Sequence, residues 1–193
     1  MERVAVFCGS SLGFNEQYKL EAEKLGNYFC VQGIDMVYGG GKIGMMGAIA
    51  DAMIKNNGTV IGVIPELLED EEVMHDAVEE MIVAKSMSDR KVIISRLVDG
   101  YIAMPGGFGT LDELFEVLTL NQLGVEQKPV GLLNTNGFFD HSLAQLDVMV
   151  AEGFLKSINR SMLIVSDTVE GLLTQMVSYK KPEKTKIIDK VVR

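Results

Sequence analysis

The feature that most constrains the fold is an alternation of short apolar runs with longer stretches of helical periodicity. Each run is rich in β-branched or other apolar residues and closes on glycine or a turn. In the first long gap Tyr18, Ala22, Leu25 and Phe29 recur at helical spacing, and Gly33 follows as a stop signal. The alternation predicts an α/β fold of the doubly wound, Rossmann-like kind, with a mainly parallel sheet and helices on both faces. The six runs lie at residues 4–11, 34–41, 59–65, 100–107, 129–134 and 162–167.

Length and composition indicate one domain. Of 193 residues 47% are hydrophobic and 23% charged, which suffices for a single substantial core. We expect residues 1–180 to form this single α/β domain and the charged residues 181–193 to form a mobile tail. The acidic segment 66–80 breaks the regular pattern and is expected to be a surface loop or a short helix.

Charge and cysteine usage narrow the classes of partner. With 27 acidic residues against 18 basic ones the net charge is −9, which opposes a broad nucleic-acid or anionic-membrane surface. The sequence has neither a signal-peptide core nor an apolar stretch long enough to cross a membrane. Cys8 and Cys30 form no metal-type spacing and make a poor disulfide framework. We therefore expect a cytoplasmic protein without nucleic-acid or membrane partners.

Glycine-rich loops follow three of the predicted strands, where ligands bind in open α/β sheets. Ser10 and Ser11 in the first loop could bind a ligand or belong to a simple turn. The second loop, residues 39–47, formally matches G-x-G-x-x-G, but no clear ribose-binding acid follows it. Close packing explains its glycines as well as ligand contact does. Lys42 is followed by Ile43 rather than Ser or Thr, so the loop is not a P-loop.

The third loop combines several devices for holding an anion. Pro105 fixes the strand exit, and Gly106, Gly107 and Gly109 permit close approach of the backbone to a ligand. Thr110 adds a hydroxyl at the start of a predicted helix, whose dipole favours an anion. The loop is therefore predicted to be an anion-binding site.

Acidic residues crowd the start of the same helix and have two explanations. Thr110 and Glu113 have the spacing of a capping box, in which Glu113 bonds back to the Thr110 N–H. Residue physics alone slightly favours that explanation. Glu116 lies one turn further along the same side, however, and two stacked glutamates beside an anion site suggest chemistry. The buried stripe of this helix is predicted to comprise Leu111, Leu114, Phe115 and Leu118.

Two cations occupy another predicted helix start. An N-cap at Ser88 or Asp89 places Arg90 and Lys91 in the first turn, where cations oppose the helix dipole. A weak surface ion pair and an arginine fork directed at phosphate or carboxylate both explain this arrangement. The segment alone does not choose between them.

These segments together resemble a known family. SMSDRK at 86–91, MPGGFGTLDELFEVLT at 104–119 and KPVGLLN at 128–134 resemble the Lonely Guy proteins, which are cytokinin riboside 5′-monophosphate phosphoribohydrolases, and their bacterial relatives. The family signature PGGxGTxxE is intact at 105–113, and YGGGKIGMMG and CGSS resemble its other two glycine loops. The resemblance runs over residues 4–168.

The resemblance implies hydrolysis of adenine-type nucleoside 5′-monophosphates to free base and ribose 5-phosphate, with Arg90, Glu113 and Glu116 as catalytic residues. Positive charge that develops on the sugar would be stabilised by the glutamates, one of which could take a proton from water. It also implies a homodimer with active sites near the interface. The methionines at 45, 46 and 53 could contribute to that interface or could equally belong to the intramolecular core. The predicted substrate-binding residues are Ser10, Ser11, Gly40, Gly41, Glu72, Lys91, Pro105, Gly106, Gly107, Phe108, Gly109, Thr110 and Thr119.

No metal or cofactor is expected. His75 and His141 lack ligand spacing with other metal-binding residues and are expected to be surface or structural residues. Some relatives carry a lysine decarboxylase label, but pyridoxal-phosphate chemistry needs a Schiff-base lysine and a ring-nitrogen partner, and no convincing set is present. The rival predictions are a non-catalytic nucleotide or cofactor carrier on the same fold, and a dinucleotide-dependent enzyme that uses residues 39–44.

Overall fold

The architecture is a seven-stranded, all-parallel sheet in a computed structural model that describes residues 1–69 and 74–180. The strand order is β4-β3-β2-β1-β5-β6-β7, so the chain winds outward from β1 in both directions. The predicted α/β fold class is confirmed. The strands are β1 (Arg3–Phe7), β2 (Asp35–Tyr38), β3 (Val60–Pro65), β4 (Glu80–Ala84), β5 (Gly100–Ala103), β6 (Val130–Leu133) and β7 (Leu163–Ser166).

Helices cover both faces of the sheet. Helices α1, α2 and α8 pack on one face, and α4, α5 and α6 pack on the other. The helices are α1 (Glu16–Gln32), α2 (Gly44–Lys55), α3 (Glu66–Glu69), α4 (Met87–Leu97), α5 (Phe108–Leu123), α6 (Asp140–Ala151), α7 (Ser157–Arg160) and α8 (Val169–Val177), with a short 3-10 turn at Thr135–Gly137.

Helix α1 shows how the sequence pattern becomes packing. Ala22, Leu25 and Phe29 of the predicted stripe are fully buried against the sheet, because their spacing brings them to one side of the helix. Gly33 ends the helix in the left-handed conformation, at φ 65°, and its N–H caps carbonyls of the last turn. Both predictions for this helix are confirmed.

The six predicted strands are present, and the structure adds β4, which the sequence pattern missed. β4 pairs only with β3, at the edge of the sheet, and its side chains are mostly part-exposed. A half-covered edge strand lacks the continuous apolar run that marks the central strands. The acidic segment 66–80 therefore contains the short helix α3 and ends in a strand. The predicted tail at 181–193 lies outside the described residues.

The order of the strands locates the ligand crevice. β1 pairs with β2 on one side and with β5 on the other, and the chain reverses its direction of winding at this point. In doubly wound sheets ligands bind beyond the carboxyl ends of the strands at such a switch point. The loops that leave β1, β2 and β5 are the three glycine-rich loops.

Candidate active site

Backbone hydrogen bonds fasten the three glycine loops together at the switch point. The Gly9 N–H donates to the Pro105 carbonyl at 3.0 Å, and the Met45 N–H donates to the Gly9 carbonyl at 3.1 Å. Gly44 lies so close to Ser10 that a Cβ would clash with the Ser10 backbone. The G-x-G-x-x-G spacing is thus explained at Gly44 by packing of one loop against another.

The third loop leads directly into the N-terminus of α5. This helix begins at Phe108, its N-cap is Gly107, and no side chain caps it. A Cβ added to Gly107 or Gly109 would meet no described residue within 4 Å, so packing within residues 1–69 and 74–180 does not require glycine there. The glycines leave open space in front of the first-turn N–H groups, which is the arrangement that an anion such as phosphate needs.

The capping-box explanation of Glu113 is wrong. Because α5 begins at Phe108, Thr110 is the third residue of the helix rather than its N-cap, and it is 3% exposed. Gly106 is the glycine that packing does require, since a Cβ there would clash with Thr110 Oγ1 and lie 2.8 Å from the Gly9 nitrogen. Glu113 is therefore in the second turn of the helix and has another partner.

That partner is Arg90 from α4. Arg90 Nη2 donates to Glu113 Oε1 at 3.1 Å, and the two side chains are only 12% and 10% exposed. α4 is capped by Ser86, whose hydroxyl accepts from the Asp89 N–H. The predicted N-cap at Ser88 or Asp89 was therefore wrong, and Arg90 extends from the second turn into the crevice. Of the two explanations given for this segment, the shielded Arg90–Glu113 contact agrees with an arginine directed at a carboxylate rather than with a surface ion pair.

Gly39, at the end of β2, gives the guanidinium its place. A Cβ on Gly39 would clash with Arg90 Nη2, so only glycine lets the guanidinium lie against the backbone there. Arg90 Nε is buried and has no hydrogen-bond partner among the described residues. The arginine thus retains a donor beside the crevice.

Burial changes the acidity of Glu113. The pKa of this carboxyl is raised from 4.5 to about 7, mainly by desolvation. The positive charges of Arg90 and Lys91 lower this pKa, whereas the negative charges of Asp112 and Glu116 raise it. A carboxyl with a pKa near neutrality can exchange a proton with water or substrate at working pH. The position of Glu113 on the inner side of α5 was not expected, because the observed buried face comprises Thr110, Glu113, Leu114, Val117 and Asn121, whereas Phe115 is 39% exposed.

Lys91 neutralises the other two carboxylates. Its ammonium pairs with Asp112 at 3.1 Å and with Glu116, and the hydrogen bond to Glu116 is the largest factor that raises the pKa of Lys91. Glu116 is 35% exposed and lies one turn beyond Glu113. The three acids therefore do not repel an anion as free charges would, because two cations from α4 hold them.

The structure places the remaining predicted residues unevenly. Ser10 and Ser11 are exposed at the crevice, and Ser11 Oγ accepts from the Gly13 N–H. Gly40 and Gly41 are buried beneath residues 74–75. Phe108 is 94% exposed beside the loop. Their ligand contacts stay predictions, as do those of Pro105, Gly106, Gly107, Gly109, Thr110 and Lys91.

Two predicted contacts remain. Glu72 falls outside the described residues. Thr119 is exposed on α5, where its hydroxyl donates to the Phe115 carbonyl at 2.7 Å. It lines a groove with α6 and α7 rather than the crevice that contains Arg90 and Glu113.

Cys8 and Tyr38 are neighbours of the site that the sequence did not reveal. Burial raises the pKa of both groups, and Glu113 raises that of Cys8 further. Both remain uncharged at neutral pH, so Cys8 is not a thiolate nucleophile. The sequence could have pointed to them, because they lie at the carboxyl ends of β1 and β2, where ligands bind in such sheets.

Within residues 1–69 and 74–180 no helix is long and apolar enough to cross a membrane. The same ranges contain no group of three or more His, Cys, Asp or Glu side chains placed to hold a metal ion.

Known proteins share this sequence over most of its length. Residues 46–176 match a family described as "Possible lysine decarboxylase". The cytokinin riboside 5′-monophosphate phosphoribohydrolase LOG of Oryza sativa subsp. japonica is 43% identical over 92% of this chain and 73% of its own. The enzyme LOG7 of Arabidopsis thaliana, of the same description, is 40% identical over 99% of this chain and 88% of its own.

Solved structures share the fold. The molybdenum cofactor binding protein of Rippkaea orientalis superposes with a TM-score of 0.70 at 23% identity, over 92% of this chain and 96% of its own. The molybdenum cofactor carrier protein of Chlamydomonas reinhardtii gives 0.68 at 25% identity, over 92% and 99%. The first of these likenesses concerns the fold alone.

Proposed function

This chain belongs to the family of cytokinin riboside 5′-monophosphate phosphoribohydrolases, and from that membership we propose that it hydrolyses adenine-type nucleoside 5′-monophosphates. The substrates are AMP and cytokinin riboside monophosphates, and the products are the free base and ribose 5-phosphate. The observation that carries the proposal is the buried Arg90–Glu113 pair beside the uncapped N-terminus of α5.

Phosphate binding at α5 supplies the alignment. The 5′-phosphate occupies the open space at Gly107 and Gly109, where the first-turn N–H groups donate hydrogen bonds to it. Ser10 and Ser11 lie on the facing loop. The phosphate is remote from the bond that breaks, so its binding energy positions the sugar against the carboxylates.

The carboxylates perform the chemistry at the sugar. A water oxygen attacks C1′ while its proton passes to the Glu113 carboxylate, and the C1′–N bond breaks with its electron pair going to the base. The departing base takes up a proton from solvent and Glu113 returns the proton that it accepted from water, so no net proton is consumed. Positive charge that develops on the sugar is stabilised by Glu113 and by Glu116 one turn away. A guanidinium is a poor proton donor, so Arg90 is assigned to orienting Glu113 and binding substrate rather than to proton transfer.

The phosphate requirement is the first test of this function. Incubation with AMP, isopentenyladenosine monophosphate and adenosine, followed by chromatography, should release free base from both monophosphates and not from adenosine. Comparable turnover of adenosine and AMP would contradict the assignment of the α5 N-terminus to the phosphate.

A carrier is the rival proposal, and the likeness to the molybdenum cofactor carrier protein of Chlamydomonas reinhardtii is its only support here. A carrier needs binding loops but gains nothing from a buried carboxyl with a pKa near 7. Intact AMP after long incubation, with binding demonstrated by calorimetry, would favour the carrier. Decarboxylation is disfavoured because Lys91, the lysine beside the acids, is held as an ammonium by Glu116 and Asp112, which is unsuited to Schiff-base formation.

We also propose a homodimer with the active site near its interface, working in the cytoplasm. The methionines do not support it, because Met45 and Met53 are buried in the core and Met46 packs against it, as the intramolecular alternative predicts. Thr119 lines a groove between α5, α6 and α7, so its predicted ligand contact is compatible with a site to which a second subunit contributes. Light scattering at assay concentration should give a dimer, and a fully active monomer would contradict this.

A further inference from the structure

Residues 74–78, here called the clamp segment, hold the second glycine loop in place. The His75 N–H donates to the Gly40 carbonyl at 2.9 Å, and Met74 forms an antiparallel bridge with Gly41. Gly40 has φ 78°, a conformation that other residues rarely adopt, and its carbonyl is thereby directed to the clamp segment. The loop is thus fixed from outside as well as by the strand that precedes it.

The side chain of His75 anchors the clamp segment to α2. The imidazole is 7% exposed, and its Nε2 lies 3.2 Å from Asp51 Oδ1. Its Nδ1 accepts from the Ala77 N–H at 3.3 Å. Because Nδ1 accepts, the hydrogen of the neutral ring is on Nε2 and is donated to Asp51. Both ring nitrogens are therefore used for structure at a buried position.

The loop that His75 fastens is the one against which Arg90 lies. Gly39 contacts the guanidinium so closely that no Cβ could be inserted, and the guanidinium in turn donates to Glu113 at 3.1 Å. A chain of direct contacts thus runs from Asp51 through His75, the glycine loop and Arg90 to Glu113. A shift of the loop would change the distance between the last two groups.

We propose that His75 is a positioning residue for hydrolysis, which acts through the second glycine loop to keep Arg90 against Glu113. The role rests on the proposed function of the Arg90–Glu113 pair. His75 touches neither of these residues nor, on this proposal, the substrate.

The proposal predicts a change in acidity as well as in rate. The charged groups that act on Glu113 are Arg90, Asp112, Lys91 and Glu116, and Arg90 exerts the largest lowering influence on its pKa. If the loop shifts and the guanidinium withdraws, the pKa of Glu113 rises and the acid limb of the kcat profile moves to higher pH. A purely structural role for His75 would lower the melting temperature and leave that limb in place.

Three variants of His75 separate its two hydrogen bonds. His75→Ala removes both, His75→Gln retains a donor toward Asp51, and His75→Asn retains only an acceptor for the Ala77 N–H. We expect kcat with AMP to fall roughly 10- to 100-fold in the alanine and asparagine variants, the scale of a small misplacement of a catalytic group. The glutamine variant should recover most of the rate. His141→Gln, at the exposed histidine of α6, is the control and should match the parent.

Asp51 tests the other end of the same hydrogen bond. Asp51→Asn keeps an oxygen that accepts from Nε2 and should resemble the parent, whereas Asp51→Ala should reproduce the loss seen in His75→Asn. An exposed ion pair between Lys42 Nζ and Asp76 Oδ2, at 3.3 Å, also joins the second glycine loop to the clamp segment. Asp76→Asn should have little effect, because such exposed pairs contribute little.

Hydrogen exchange measures the clamp without relying on catalysis. Amides of residues 39–46 should exchange faster in His75→Asn than in His75→Gln or the parent. Faster exchange, a lower kcat and an acid limb at higher pH, all restored by glutamine, would support the proposal. Parental exchange, or a lower kcat with an unmoved acid limb, would overturn it. If the parent cleaves no nucleotide the proposed function fails, and the exchange rates alone then decide whether the clamp exists.

Discussion

Two shielded glutamates, Glu113 within α5 and Glu126 just beyond its end, differ in their surroundings. Glu126, just beyond the helix, accepts hydrogen bonds from the hydroxyls of Ser95 and Tyr101, and Lys128 Nζ lies 3.8 Å from it. In the part of the chain that the structure describes, Glu113 accepts one hydrogen bond, from Arg90. The side chains are similarly shielded, at 13% and 10% exposed.

The comparison separates a structural carboxylate from a reactive one. The partners of Glu126 satisfy both of its oxygens and hold it in a network of side-chain hydrogen bonds. Burial of Glu113 raises its pKa to about 7, because fewer partners compensate for the loss of water. Its carboxyl faces a crevice bounded by glycine. Burial alone therefore does not distinguish the candidate catalytic acid. What distinguishes it is a carboxyl with few hydrogen-bond donors that borders open space.

The largest expected effect is the loss of activity in Glu113→Gln. The substitution keeps the shape and removes the charge, so kcat with AMP should fall roughly 100-fold or more, the scale of a lost general base or electrostatic group. Binding of AMP should survive or tighten, because a negative group near the phosphate is removed. Glu126→Gln is the matched control and should keep kcat within a few-fold. A folded Glu113→Gln enzyme with parental turnover would reduce Glu113 to a structural residue like Glu126.

Arg90→Gln should have the next largest effect. Loss of the guanidinium removes the main influence that lowers the pKa of Glu113, so the acid limb of kcat should move to higher pH. The rate should fall roughly 10- to 100-fold as Glu113 loses its orientation. Arg96→Gln, at an exposed arginine of the same helix, serves as the control. An unmoved acid limb would show that Arg90 does not set the acidity of Glu113.

A smaller effect is expected from Gly109→Ala. The added methyl meets nothing within 4 Å in the folded chain, and alanine is the better helix former by about 1 kcal/mol. The variant should therefore melt at a higher temperature while its KM for AMP rises several-fold, because the methyl enters the space proposed for the phosphate. A stabilised variant with unchanged KM would place the phosphate elsewhere.

Tyr101→Phe should leave catalysis almost untouched. It removes one of the hydroxyl donors to Glu126, at a cost of about 1–3 kcal/mol for a buried acceptor that loses a partner. Urea unfolding should report the loss of stability, and kcat should stay parental. A large fall in kcat without a loss of stability would join the Glu126 network to the active site.

The sequence predicted the frame of the molecule because strong local signals determine it. The central strands are continuous apolar runs, and Gly33 ends α1 as its position indicates. The sequence pattern did not predict β4, because an edge strand that is exposed on one side does not need a continuous apolar run. The three glycine loops were located, but only the strand order shows which of them meet.

The acids were recognised, but the reason for them was not settled by sequence. The capping-box spacing of Thr110 and Glu113 is real, yet tertiary packing starts α5 at Phe108 and makes the spacing irrelevant. Likewise His75 carries no motif; its role depends on the approach of Asp51 and Gly40, residues far from it along the chain. Long-range contacts of this kind leave no local pattern.

The pH dependence of kcat with AMP tests most directly the claim that the exposed crevice makes Glu113 reactive. Because the carboxylate is the active form, kcat should rise with pH through a single limb centred near the pKa of about 7. The second ionisation of the phosphate, at about pH 6, is common to every variant, so Glu113→Gln provides the reference. The account predicts that its residual activity lacks the limb near 7. A parental limb near the ordinary glutamate value of 4.5, or the same limb in Glu113→Gln, would contradict it.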